Sequence, residues 1–128
     1  MNAERESLMK VFIADDSTVL RERLVEMLSE LPGIEIIGQA QDVVEALTSI
    51  KKLNPDVVIL DIRMPGGSGL DVLQDIKKDK QAPLVIVLTN YPYPQYRKKC
   101  LGLGADYFFD KSTEFEKITE VVKQMRGI

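Results

Sequence analysis

Short apolar runs alternate with amphipathic segments along this chain. Met9 to Ala14 is the first strand candidate, and its near-continuous hydrophobicity suits a strand covered on both faces. Ser17 to Glu30 follows with Leu20, Leu24, Met27 or Leu28, and Leu31 at helical spacing. Pro32-Gly33 stops that helix. Ile34 to Ala40 is a second, more polar strand, placed at or near a sheet edge. Asp42-Val43-Val44-Glu45 matches a capping box. Val43, Leu47 and Ile50 then mark a helix face that ends at Asn54-Pro55. Val57 to Leu60 is the most apolar strand and is expected at the centre.

Met64 to Gly69 reads as a mobile loop of turn formers. Leu70 to Lys78 reads as a helix with Leu70, Leu73 and Ile76 inward. Leu84 to Leu88 is the fourth strand. Tyr91-Pro92-Tyr93-Pro94 delays the next helix, because a residue before proline avoids helical torsions. Pro94 still suits the first turn. A short strand, Tyr107 to Phe109, precedes Lys111. Thr113 and Glu116 offer a capping box for a last helix whose buried face is Phe115, Ile118, Val122 and Met125. A strand–helix unit repeated about five times predicts a doubly wound parallel sheet, an α/β fold. The expected organisation is an arm over 1–8 and one domain over 9–126, with no effector domain.

Four strands end in chemically capable residues: Asp15-Asp16, Asp61, Thr89, and Asp110-Lys111. In an open parallel sheet, ligands bind beyond the carboxyl ends of the strands. The fold therefore gathers three carboxylates, a hydroxyl and an ammonium at one edge. Packed carboxylates repel one another unless a cation is present. Mg²⁺ is the expected cation, a hard ion that takes oxygen ligands and keeps several waters. A carboxylate held ionised beside a cation is a nucleophile. Asp61, closing the central strand, is the best candidate. Lys111 and Thr89 then meet phosphate oxygens, and Phe108 fills space that Thr89 vacates on moving inward. That would be a two-state element biased by a local charge event.

Composition narrows the field. The net charge of −3 argues against a general nucleic-acid binder. Cys100 is the only cysteine, so an internal disulfide is impossible, and a reducing cytoplasm fits. The absence of histidine removes His-based catalysis. No apolar stretch nears the roughly 20 residues of a membrane span.

Taken in order, these pieces resemble the receiver domain of bacterial two-component response regulators, from about Met9 to Met125. They are Asp15-Asp16, Asp61 within Val57 to Gly66, Thr89, and Lys111 after Gly104 to Phe109. The resemblance implies a flavodoxin-like fold with strand order 2-1-3-4-5. It implies Asp61 as acceptor of phosphate from a histidine kinase or phosphotransfer protein. Asp16 and Asp61 would ligate Mg²⁺ by side chain, Asp15 largely through water, and Arg63 through its backbone carbonyl. Thr89 and Phe108 would be the switch pair and Lys111 the phosphate partner. Output would be partner binding or dimerisation through the fourth helix, fifth strand and fifth helix. Such a domain is a phosphoacceptor rather than an enzyme, without direct nucleic-acid or membrane binding. Three positions depart from the family's habit. Ser112 stands where proline often follows the lysine, Phe108 lacks the tyrosine hydroxyl, and Asn90 replaces a small residue.

Other readings stand beside this one. Asp15-Asp16 would serve equally as a helix-capping pair, Lys111 as a surface lysine, and Phe108 as plain core. A haloacid-dehalogenase-like phosphohydrolase also uses a strand-end aspartate, but it places a second acid two residues on, where this chain has Ser17. A degenerate receiver would act only as a docking module. Tyr91, Tyr93 and Tyr96 suit either partial core packing or an interface. Arg97-Lys98-Lys99 reads as a solvated face and Cys100 as packed.

Overall fold

A computed structural model describes residues 8–127. The expected arm over 1–8 lies, apart from Leu8, outside the described residues. Five strands form one parallel sheet: β1 (Met9–Ala14), β2 (Ile34–Ala40), β3 (Val57–Leu60), β4 (Leu84–Thr89) and β5 (Tyr107–Asp110). Their order is β2-β1-β3-β4-β5, as the resemblance implied. The order reverses between β1 and β3, so the two strands that carry Asp15 and Asp61 lie side by side, with Ala14 opposite Leu60. Thr89 is opposite Asp110 at the far side of the same edge.

Five helices cover the sheet: α1 (Thr18–Ser29), α2 (Val43–Leu53), α3 (Gly69–Ile76), α4 (Pro94–Gly102) and α5 (Lys117–Arg126). Strand residues alternate between two faces, and this separates two cores. Phe12, Ala14, Val58, Leu60, Val85, Val87 and Phe108 pack with Val43, Ala46, Ile50, Val72, Leu73 and Cys100 on the α2–α3–α4 side. Val11, Ile13, Val57, Ile59, Ile86 and Leu88 pack with Leu20, Leu24, Leu28, Ile118 and Val122 on the α1–α5 side. All four residues of β3 are buried, because its neighbours and both helical layers enclose it. Burying each large apolar side chain stabilises the fold by about 1.5–3 kcal/mol before chain entropy is charged.

Local chemistry sets most element ends. Ser17 caps α1, its Oγ accepting from the Leu20 N–H at 3.2 Å. Asp42 caps α2 by accepting from the Glu45 N–H at 2.8 Å. One expectation gains detail and one fails. The turn-former stretch from Met64 carries a two-residue hairpin, Arg63–Met64 against Gly67–Ser68, and Ser68 then caps α3 at Leu70. Pro65 and Gly66 make that turn, and Gly66 and the following Gly67 take φ of 87° and 143°. The capping box at Thr113 does not form. Thr113 donates to Asp110 instead, and α5 starts at Lys117 with no side-chain cap.

Candidate functional site

The strand ends converge as the alternation predicts. Asp15 and Asp61 continue the rows of Ile13 and Ile59. Both are held by backbone: the Asp15 N–H donates to the Ala40 carbonyl at 3.0 Å, and the Asp61 N–H to the Ala14 carbonyl at 2.9 Å. The Asp15 carbonyl also accepts from Arg21 Nη1 at 2.6 Å. Its Oδ1 accepts from the Ser17 N–H at 2.8 Å. Arg21 was invisible in the sequence, since a helix arginine pointing to a strand carbonyl has no local signature.

One carboxylate oxygen each from Asp15, Asp16 and Asp61 lies within 4.8 Å of the others. Asp15 and Asp61 are buried, whereas Asp16 is exposed at the mouth. Lys111 Nζ pairs with Asp15 Oδ2 at 2.7 Å and with Asp61 Oδ2 at 3.2 Å. The ammonium thus bridges both buried acids. Burial pushes the Asp61 pKa up to about 6, with Lys111 opposing and Asp15 adding to the rise. Burial also disfavours the Lys111 ammonium, but its bonds and proximity to Asp15 and Asp61 outweigh this and raise its pKa. Three oxygen-donor acids against one ammonium leave unbalanced negative charge in a partly dry pocket. That donor set fits a hard divalent cation.

Thr89 is fully buried, and its Oγ1 accepts from the Tyr91 N–H at 2.9 Å. Phe108 is 4% exposed and packs in the same core cluster as Leu60 and Val87. Arg97 Nη1 donates to the Phe108 carbonyl at 3.2 Å, so α4 is tied to β5. Arg97, Lys98 and Lys99 are all exposed, as the solvated-face reading expected, and Arg97 adds this one bond to it. The Lys111-Ser112 bond is trans, and the described residues contain no cis peptide.

Further features near the site emerge only in three dimensions. Gly69 sits directly on β3's exit, where a Cβ would collide with the Asp61 carbonyl and lie 2.8 Å from Ile62 Cα. The Arg63 side chain lies outside the acid cluster, its guanidinium 4.0 Å from the Tyr91 ring centroid. Tyr91, Tyr93 and Tyr96 form a chain of tilted rings 6.4 and 5.8 Å apart. Cys100 is fully buried, and burial pushes its thiol up to about 11, which suits the packed role expected of it. Among the described residues no helix is long and apolar enough to cross a membrane.

Comparison with known proteins bears on this arrangement. The family model of the response regulator receiver domain matches residues 11–123. A protein-glutamate methylesterase/protein-glutamine glutaminase from Methanospirillum hungatei is 35% identical over 93% of this chain and 35% of its own length. The chain spans between 23% and 58% of the length of such curated relatives. Among solved structures, a LuxR-family DNA-binding response regulator from Staphylococcus aureus is similar with a TM-score of 0.85. It has 32% identity, over 93% of this chain and 99% of that one. The CheX-CheY-BeF3-Mg complex from Borrelia burgdorferi gives a TM-score of 0.83 at 28% identity, over 96% of this chain and 98% of that one. With its five-stranded parallel sheet and its acidic cluster at the strand ends, this chain belongs to the response regulator receiver domain family.

Proposed function

We propose that the chain accepts a phosphoryl group on Asp61 from a histidine kinase or phosphotransfer protein and changes shape in response. The carrying observation is the Lys111 ammonium bridging Asp15 and Asp61 beside a third carboxylate. Asp16 and Asp61 would hold Mg²⁺ by side chain, Asp15 through water, and Arg63 by its carbonyl. When bound, the ion supplies neutralising charge to the acids and to the incoming phosphoryl oxygens. An Asp61 carboxylate oxygen attacks phosphorus. The bond from phosphorus to the donor imidazole nitrogen breaks with its electron pair, and that nitrogen takes a proton. Lys111 moves its contact from carboxylate to phosphoryl oxygen. Thr89 exchanges its bond from the Tyr91 N–H for one to the phosphoryl group. Phe108, on the same sheet face, responds by packing alone.

Output would pass through the face made by α4, β5 and α5, by partner binding or dimerisation. On this reading residues 9–126 are the signalling unit, a phosphoacceptor rather than a turnover enzyme, acting in the cytoplasm without contacting nucleic acid. The phosphohydrolase alternative lacks its second acid, since Ser17 is engaged in capping α1.

The test is intact mass after incubation with a small phosphodonor, with and without Mg²⁺, for the native chain and Asp61→Asn. One added phosphoryl group that requires both Mg²⁺ and Asp61 is expected. A variant labelled as well as the native chain refutes the assignment.

A further inference from the structure

The loop that carries Lys111 is held in an unusual way. Upstream, the β4–β5 ladder ends at Thr89 and Asp110, and the Lys111 N–H donates to the Thr89 carbonyl at 2.9 Å. Downstream, no regular element begins until Lys117. Between them, Asp110 and Glu114 close the loop on each other. Asp110 Oδ1 accepts from the Ser112 N–H at 2.9 Å and from Ser112 Oγ at 2.7 Å. Asp110 Oδ2 accepts from Thr113 Oγ1 at 3.1 Å. Glu114 Oε1 accepts from the Asp110 N–H at 3.1 Å, and the Glu114 N–H donates to the Asp110 carbonyl at 2.8 Å. Lys117 Nζ fixes the other Glu114 oxygen at 2.8 Å.

We propose that Asp110 is the positioning residue for Lys111: its carboxylate gathers Ser112 and Thr113 and so holds the ammonium between Asp15 and Asp61. The inference rests on reading Lys111 as the phosphate partner. A proline at 112 would have no N–H to give, so the carboxylate clasp depends on the serine found there. The bonds from Ser112, first through its hydroxyl and then through its N–H, also hold the Asp110 carboxyl below its ordinary range. Lys111 itself has a flexible four-carbon stem. Its ammonium lies 2.7 Å from Asp15, and a held Cα limits the conformations of that stem that the contact must compete with. Asp110 touches neither substrate nor metal ligand, and it acts through its neighbour in sequence.

The test compares phosphorylation rates of the native chain, Asp110→Ala, Asp110→Asn, Lys111→Ala and the Asp110→Ala/Lys111→Ala double variant, at saturating Mg²⁺ with a small phosphodonor. Misplacing a reacting partner by about 1 Å costs up to about a hundredfold. Asp110→Ala is therefore expected to slow transfer by about tenfold or more. Asp110→Asn, which keeps one acceptor oxygen, should lose less. The double variant should match Lys111→Ala, because a residue acting only through Lys111 has nothing further to lose. A native rate in Asp110→Ala, or two losses that multiply, overturns the proposal. The Lys111 ammonium resonance in ¹⁵N-labelled protein gives a readout that needs no phosphate. It should be slowly exchanging in the native chain and exchange-broadened in Asp110→Ala. If the native chain takes no phosphate, the functional reading fails, and an unchanged ammonium signal in Asp110→Ala then overturns the positioning role by itself.

Discussion

The two ends of the sheet treat charge in opposite ways: the acids at the amino end are exposed, whereas Asp15 and Asp61 at the carboxyl end are buried. At the amino end, charges close locally. Asp106 Oδ2 accepts from Lys77 Nζ at 2.9 Å and from the Val85 N–H at 2.8 Å, and Lys77 also donates to the Pro83 carbonyl at 2.8 Å. Asp56 accepts from the Lys10 N–H at 2.8 Å. Each acid there is answered by a donor of the fold itself. At the carboxyl end, Asp15 and Asp61 share one ammonium with Asp16 beside them, and burial drives Asp61 up to about 6. One end spends its polar groups on holding strands in place. The other leaves negative charge unbalanced, which the proposed function assigns to a cation and a phosphoryl group.

The largest consequence is a difference in sign. Asp61 has a folded pKa above the ordinary 3.8, because burial and the Asp15 charge outweigh the pull of Lys111. The folded state therefore holds its proton to higher pH than the unfolded state does. Stability falls as pH rises through the window from about 4 to 6, and the full penalty is present above it. A rise from 3.8 to about 6 corresponds to at most about 3 kcal/mol. Asp61→Asn should stabilise the metal-free protein by up to that amount at pH 7. It should also flatten the fall between pH 4 and 6. Urea unfolding in a chelator across that range measures both, and a variant no more stable than the native chain would show that the site stores no such strain. Saturating Mg²⁺ should shrink the difference, since it relieves the native carboxylate and not the amide.

At the opposite end, removing a charge should do the reverse. Lys77→Met keeps the packing stem but leaves Asp106 with one donor fewer. The pair is partly exposed, with side chains 18% and 31% accessible. The loss is accordingly set at about 1 kcal/mol, reduced by salt. Phosphorylation rate should not change. A stabilised Lys77→Met, or one slow to accept phosphate, would collapse the contrast between the ends.

Much of the carboxyl end was legible in the sequence. Four branched apolar residues running into Asp61 announce a buried central strand, and a strand-end acid then has few fates. Asp15, Thr89 and Lys111 are found by the same logic, since alternation and strand order bring their ends together. What stayed hidden needs three dimensions or a competition. Gly69 looks like any turn former until α3 is seen against the Asp61 carbonyl. The Thr113-Glu116 box matches its pattern, yet the Thr113 hydroxyl goes to Asp110, because β5 extends one residue past Phe109. The β1–β2 register shift at Val11/Phe12 is equally silent in sequence. It falls opposite Gly38, where a Cβ would lie 2.9 Å from the Phe12 ring.

Asn90 offers the smallest and most local test of an end built for chemistry. It is exposed between Thr89, whose hydroxyl faces the site in the proposed mechanism, and Tyr91, which carries the Arg63 guanidinium at 4.0 Å. On the proposed function, with Thr89 bonded to the phosphoryl group, the loop at 89–91 would border the approach of water to it. The Asn90 amide adds bulk there without entering the core, so trimming it should leave folding alone and ease access. Asn90→Ala should shorten the lifetime of phosphorylated protein by about twofold, a barrier change of about 0.4 kcal/mol. Loss of the phosphoryl mass with time, measured side by side for the two proteins, reads this out. Equal lifetimes would mean that the loop does not screen the acyl phosphate, and that water is controlled by Lys111 and Thr89 deeper in the site.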